Sequence, residues 1–98
     1  MSETPLLARV HAVVEGRVQG VGFRYFVVEQ ANQFTVNGWV RNRWDGSVEV
    51  VAEGTRSDLE RLVARLQRGP ASAYVSGVQL DWEPPTGEFQ EFRLRSSV

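Results

Sequence analysis

The chain contains no cysteine and no lysine. Without cysteine there can be no disulfide, no thiol nucleophile and no thiolate metal set. Without lysine, all eleven basic residues are arginine, and Schiff-base chemistry and a lysine-bearing P-loop are excluded. The single histidine, His11, cannot form a metal cluster alone. No long hydrophobic run is present: the opening stretch MSETPLLARVHAVVEG is interrupted by Arg9, His11 and Glu15. It reads as neither a secretory h-region nor a membrane span, so the cytoplasm is the expected location. Nor is there an excess of either charge. Eleven basic residues against twelve acidic ones leave a net charge of −1 and a pI near 5.8. A dedicated nucleic-acid binder would carry a basic face; a small local anion site remains open.

The 98 residues predict one domain with a single core, spanning 1–98, with residues 1–8 a loose leading segment. RVHAVVE (9–15) places Val10, Ala12 and Val14 on one face, the period of a strand. From Phe23 the apolar positions become Phe23, Phe26, Val27, Ala31 and Phe34, a helical spacing. GWVRNR (38–43) and SVEVVAE (47–53) read as strands joined at the turn Asp45-Gly46. Ser57-Asp58-Leu59-Glu60 has the form of a capping box, with Ser57 as the cap. Leu59, Leu62, Val63 and Leu66 form the stripe of that helix, and Gly69-Pro70 stops it. A strand over about 75–82 and a short one at Phe92 and Leu94 complete the order. The expected fold is α+β, a ferredoxin-like α/β sandwich (βαββαβ plus a short C-terminal strand). Its two helices lie on one face of an antiparallel sheet, because each has a single apolar stripe.

Between the first strand and the first helix lies GRVQGVGFR, with Gly16, Gly20 and Gly22. Glycines let consecutive backbone N–H groups turn toward an anion. The helix beginning near Phe23 adds its positive end, and Arg24 in its first turn adds a guanidinium fork that matches phosphate. The loop is not a dinucleotide fingerprint: after Gly20-Val21-Gly22 the required third glycine is Tyr25. Three glycines in a loop are by themselves weak evidence, and a merely structural turn is the plainer reading of them.

The runs GRVQGVGFR, GWVRN, DGSVEVVAEG and GP, in that order and spacing over residues 9–95, resemble the acylphosphatase family. The resemblance implies hydrolysis of the carboxyl-phosphate anhydride of acyl phosphates, with no cofactor and no metal. It implies a small-molecule acyl phosphate substrate, with inorganic phosphate as product and competitive inhibitor. A monomer is expected, without nucleic-acid or membrane partners. Carried over by position, Arg24 and Asn42 are the catalytic residues, and Gly16, Arg17, Val18, Gln19, Gly20, Val21, Gly22 and Phe23 form the phosphate cradle. One position departs from the pattern. Thr35 in FTVNG stands where similar sequences often have glycine, at a helix end where left-handed backbone is common and a β-branched residue is strained.

The chemistry fits these residue types. A carboxylate leaving group needs no proton, so the site must mainly hold the phosphoryl oxygens and place a water in line. Asn42 has a donor and an acceptor with which to orient that water. No protein base is evident, and His11 sits about four residues before the loop, roughly 13 Å away. Among the other residues, Trp39 is expected between sheet and helix and Trp44 partly exposed at the hairpin. Arg41 and Arg43 are expected as solvated strand residues, Arg56, Arg61, Arg65 and Arg68 on the wet side of the second helix, and Glu15 pointing away from the loop. The alternatives are a non-catalytic ferredoxin-like anion-binding module and a carbamoyl-phosphate-handling domain of the sort found at the front of a larger maturation enzyme. An RNA-binding version would need aromatics on the third strand, and SVEVVAE has none.

Overall fold

A computed structural model describes residues 6–98. The elements are β1 (Leu7–Arg17), α1 (Phe23–Gln33), β2 (Asn37–Asn42), β3 (Val48–Thr55), α2 (Arg56–Arg68), β4 (Tyr74–Glu83) and β5 (Phe92–Leu94). The sheet order is β4-β1-β3-β2-β5, and both helices cover one face. This is the ferredoxin-like sandwich that the element order predicts. The sheet is not wholly antiparallel, however. β5 pairs parallel to β2, with Gly38 opposite Phe92 and Val40 opposite Leu94, so the sheet is mixed.

Alternation along the strands sorts the two faces. Val10, Ala12 and Val14 of β1, Val40 of β2 and Val48, Val50 and Ala52 of β3 are fully buried toward the helices. They meet Phe23, Val27 and Ala31 of α1 and Leu59, Leu62 and Leu66 of α2. The opposite face carries Arg9, His11, Trp39, Arg41, Glu49 and Glu53, and the segment after β4 folds partly over it. Glu53 there accepts from Arg9 (2.8 Å), from the amides of Thr86 and Gly87 (2.9 Å each) and from the Thr86 hydroxyl (2.9 Å).

Several side chains fall elsewhere than the sequence predicts. Trp39 is on the face away from the helices, between the guanidiniums of Arg41 (4.6 Å from the ring centre) and Arg95 (4.8 Å). Val40 has taken the inward position, and adjacent strand residues cannot both face the core. Arg41 is half-buried and its Nε donates to Glu49 at 2.7 Å, so it is not a solvated strand residue. Arg56 lies over the Trp82 ring at 3.6 Å and Arg65 over Phe34 at 5.6 Å, where their stems cover apolar surface. Trp44 is 87% exposed.

The cap of α2 is Thr55, two residues before the serine expected there. Its hydroxyl accepts from the Asp58 amide at 3.1 Å, an acid in the first turn suits the helix dipole, and Glu60 is not the reciprocal partner. Gly69, at φ 70°, closes the helix as expected. Of the segment expected to be loose, residues 1–5 lie outside the described residues. Leu7 and Ala8 are in β1, opposite Thr55 and Gly54, and the Leu6 carbonyl accepts from the Arg56 amide at 2.8 Å.

Candidate active site

α1 and β2 are joined by a tight turn, so β2 runs back along the helix. Its last residue, Asn42, therefore arrives beside the first turn of α1. Asn42 shares the parity of Val40 and points to the helix side, just beyond the core. The loop leaving β1 enters the same corner from a third direction. Val18, Gly20, Gly22, Phe23, Arg24, Tyr25 and Asn42 line one pocket of about 110 Å³ there.

The local backbone explains the loop's glycines. Gly20 and Gly22 have φ of 74° and 78°, in the left-handed region, and an added Cβ at either would meet nothing within 4 Å. They serve the turn and leave open space in front of it. Gly22 is also the N-cap of α1 and offers no side chain to its first turn, where the Phe26 amide closes on the Gly22 carbonyl at 3.1 Å. The amides of Phe23, Arg24 and Tyr25 are thus left at the positive end of an eleven-residue helix.

Arg24 is half-buried. Arg9, Arg41, Arg61 and Arg93 are each held by a carboxylate at 2.6–2.8 Å. Among the described residues Arg24 has no such partner, so its guanidinium is uncommitted beside three orphan amides.

The expected cradle therefore divides. Val18, Gly20, Gly22 and Phe23 line the pocket with Arg24 and Asn42. Gly16, Arg17, Gln19 and Val21 do not. Gly16 belongs to β1, at a shift in register against β4, and a Cβ there would collide with the carbonyl oxygen of Tyr74. Its glycine answers to the sheet. Arg17, the last residue of β1, is exposed. The Gln19 amide turns away, its Nε2 donating to the carbonyls of Arg43 and Ser47 at 2.8 Å each. The Val21 carbonyl accepts from the Ser72 hydroxyl at 2.9 Å. Tyr25, a missed site residue that drew notice in the sequence only for breaking the dinucleotide pattern, lines the pocket and is 71% exposed. Its place after Arg24 in the first turn was the available signal.

His11 sits on the other face of the sheet, its Nε2 2.7 Å from Glu49 Oε2. Burial would raise the Glu49 pKa, but the contacts with His11 and Arg41 prevail and hold it below the ordinary value. Glu15 is exposed and outside the pocket, as expected. A larger groove of about 750 Å³ lies between β2 and residues 88–98, lined by Trp39, Arg41 and Arg95 among others. It contains none of the candidate site residues.

Comparison with known proteins identifies the family. A family model described as Acylphosphatase matches residues 10–94. An acylphosphatase of Moorella thermoacetica is 53% identical over 92 residues, covering 94% of this chain and 98% of that protein. The crystal structure of acylphosphatase from Bacillus subtilis superposes with a TM-score of 0.87 at 36% identity, covering 92% of this chain and 99% of that one. A similar fold occurs inside a far longer protein, HypF of T. kodakarensis, with a TM-score of 0.79 at 33% identity; the match covers 93% of this chain and 12% of that one. With the family model spanning both the loop and Asn42, and near-complete coverage of short relatives, the chain belongs to the acylphosphatase family.

Proposed function

We propose that this chain hydrolyses acyl phosphates in the pocket between the glycine loop, Arg24 and Asn42. The observation that carries the reading is the convergence there of an uncommitted guanidinium, the orphan amides of a helix start and an asparagine side chain. The phosphoryl oxygens sit against the amides around Gly20–Phe23 and the Arg24 fork, which spread the charge that shifts during transfer. Asn42 accepts a hydrogen bond from a water and turns its oxygen toward phosphorus, opposite the acyl oxygen. The water oxygen forms the new P–O bond as the bond to the acyl oxygen breaks. The electron pair leaves with the carboxylate. One water proton passes to a phosphoryl oxygen, so an acyl phosphate dianion and water give a carboxylate and dihydrogen phosphate. His11, on the other face of the sheet, has no part in this step.

One domain supplies every group that this mechanism uses, and we propose that it works as a monomer. A cytoplasmic site of action suits a chain without cysteine, which gains nothing from an oxidising compartment. No described helix is long and apolar enough to cross a membrane.

The test is a turnover assay with a simple acyl phosphate and with a phosphate monoester, both in the presence of a chelator. The expected result is phosphate release from the acyl phosphate alone, because the monoester's alkoxide leaving group needs a strong acid, and no carboxyl or imidazole lines this pocket among the described residues. Equal release from both, or no release from either, would overturn the reading. A pH profile in which His11→Gln abolishes a needed basic limb would instead return His11 to the reaction.

A further inference from the structure

We propose that Gln19 is a positioning residue: its side-chain amide locks the phosphate loop to the β2–β3 hairpin, and so sets the distance between bound phosphate and the water held by Asn42. The inference rests on the reading of Arg24 and Asn42 given above. The loop and Arg24 follow one another in the chain and move as a unit with the start of α1. Asn42 belongs to a different element, the end of β2. Packing of α1 against β2 in the common core brings the two near each other, and an in-line displacement needs a further link that holds them in register.

Gln19 supplies that link. Its Nε2 donates to the carbonyls of Arg43 and Ser47, both at 2.8 Å, using both N–H bonds of the amide. These two carbonyls flank the turn directly after Asn42. The turn itself is stiff. The Arg43 amide donates to the Ser47 carbonyl at 2.9 Å, and the Gly46 amide to the Arg43 carbonyl at 3.1 Å. Asp45 Oδ1 accepts from the Ser47 amide at 2.9 Å and from its hydroxyl at 2.5 Å. Each carbonyl that Gln19 reaches therefore already has one backbone partner, and Gln19 fills the second lone pair. Removing Gln19 orphans neither carbonyl. This separates the link from ordinary fold stabilisation, where deletion would strand a buried polar group. Val18 beside it is buried in the core and Ser72 fastens Val21 at the other end of the loop, so the loop is fixed at three points, and among the described residues Gln19 is the one that hydrogen-bonds it to the turn after Asn42.

The experiment compares Gln19→Leu, Asn42→Ala and the double variant, each confirmed folded by circular dichroism at the assay temperature. In Gln19→Leu, kcat for a simple acyl phosphate should fall by about 10- to 100-fold, the usual consequence of a misplacement near 1 Å. The inhibition constant of inorganic phosphate should stay within about threefold, because loop and Arg24 still move together. Added to Asn42→Ala, the leucine should cost less than about threefold, since the water it aligned is already lost. A purely structural Gln19 would lower the melting temperature and leave kcat intact. A phosphate ligand would raise the inhibition constant as far as kcat falls. A group acting independently of Asn42 would give losses that multiply. Any of these overturns the proposal and leaves the assignment of Arg24 and Asn42 standing, whereas normal turnover in Asn42→Ala removes that assignment and this inference with it. Should the leucine variant not fold, Gln19→Asn, one methylene short of the hairpin, gives the same comparison.

Discussion

The amide of Val36 donates to the carbonyl of Ala31 at 3.0 Å, across a residue in left-handed backbone, Thr35 with φ 59°. Together with the bond from the Thr35 amide to the Asn32 carbonyl (3.4 Å), this is a Schellman closure with threonine at the position that favours glycine. Ala31 and Val36 are both buried, which secures the turn from inside. Thr35 is the one non-glycine residue at positive φ among the described residues. Its strain is on the order of 1 kcal/mol. Thr35→Gly removes the strain but frees the unfolded chain, at a cost of about 0.4–1 kcal/mol. The expected outcome is a melting temperature unchanged or raised by a few degrees, about 4–8 °C corresponding to 1 kcal/mol at this size. Turnover should not change, because Thr35 lies roughly 16 Å along the helix from Arg24. A clear drop in melting temperature would mean that the threonine side chain itself closes the helix.

Arg24→Lys keeps the charge and loses the fork. A single ammonium cannot contact two phosphoryl oxygens in one plane, nor hold its direction as a guanidinium does. Turnover should fall by at least about 100-fold, the scale for removing one preorganised donor to a developing charge. Affinity for inorganic phosphate, read as competitive inhibition, should weaken in parallel, whereas Asn42→Ala, which removes only the partner of the water, should lower turnover and leave that affinity nearly unchanged. Stability should be little altered, since Arg24 holds no partner among the described residues. Near-normal kinetics would take Arg24 out of the site.

The three glycines of the first loop should separate into two kinds. Gly16→Ala drives a methyl into the Tyr74 carbonyl and within 2.7 Å of the Ser76 amide, both backbone atoms that cannot step aside. It should fail to fold or melt far below the parent. Gly20→Ala and Gly22→Ala meet open space, so only the left-handed backbone resists them, at about 1–2 kcal/mol. These two should fold, with phosphate affinity and turnover reduced more than melting temperature. Phosphate affinity intact in both would return the loop to a merely structural turn.

The order of elements was legible because each boundary has a local cause: Asp45-Gly46 at the hairpin, Gly69-Pro70 after α2, alternation in β1 and the helical stripe of α2. What was not legible depended on distant chain. GWVRN puts Trp39 and Val40 side by side, two apolar residues of opposite parity, and only the packed sheet decides that Val40 goes inward. Thr55 and Ser57 are both acceptable caps, and the choice of Thr55 follows from β3 running directly into α2. The parallel pairing of a three-residue β5 with β2 has no sequence signature. Within the candidate site, Arg24, Asn42 and the two left-handed glycines line one pocket. Gly16 and Gln19 share the same motif, but a neighbouring strand and a hairpin determine what they do.

Glu53 makes a prediction about acid stability. Its carboxylate is buried, which alone would raise its pKa. The amides of Thr86 and Gly87, the Thr86 hydroxyl and the Arg9 guanidinium outweigh that burial and lower it from 4.5 to about 2. The folded state thus binds its proton at lower pH than the unfolded chain does. Such a group stabilises fully above the unfolded value, and its contribution is lost as pH falls from about 4.5 toward 2. Glu49 is shifted in the same direction and adds to the slope. Glu53→Gln removes the charge-assisted acceptor for four donors, and should cost about 1–3 kcal/mol at neutral pH. Arg9 keeps Glu83 at 3.1 Å and Glu88 at 3.5 Å, so its charge is not stranded. Melting temperatures of parent and variant, followed from pH 7 to pH 2, should therefore lie well apart at neutral pH and converge across that acidic window. Turnover at pH 7 should be equal, because Glu53 is on the sheet face opposite the helices and the candidate pocket. Two melting curves that stay parallel down to pH 2 would show that the carboxylate of Glu53 gains nothing from the partners that surround it.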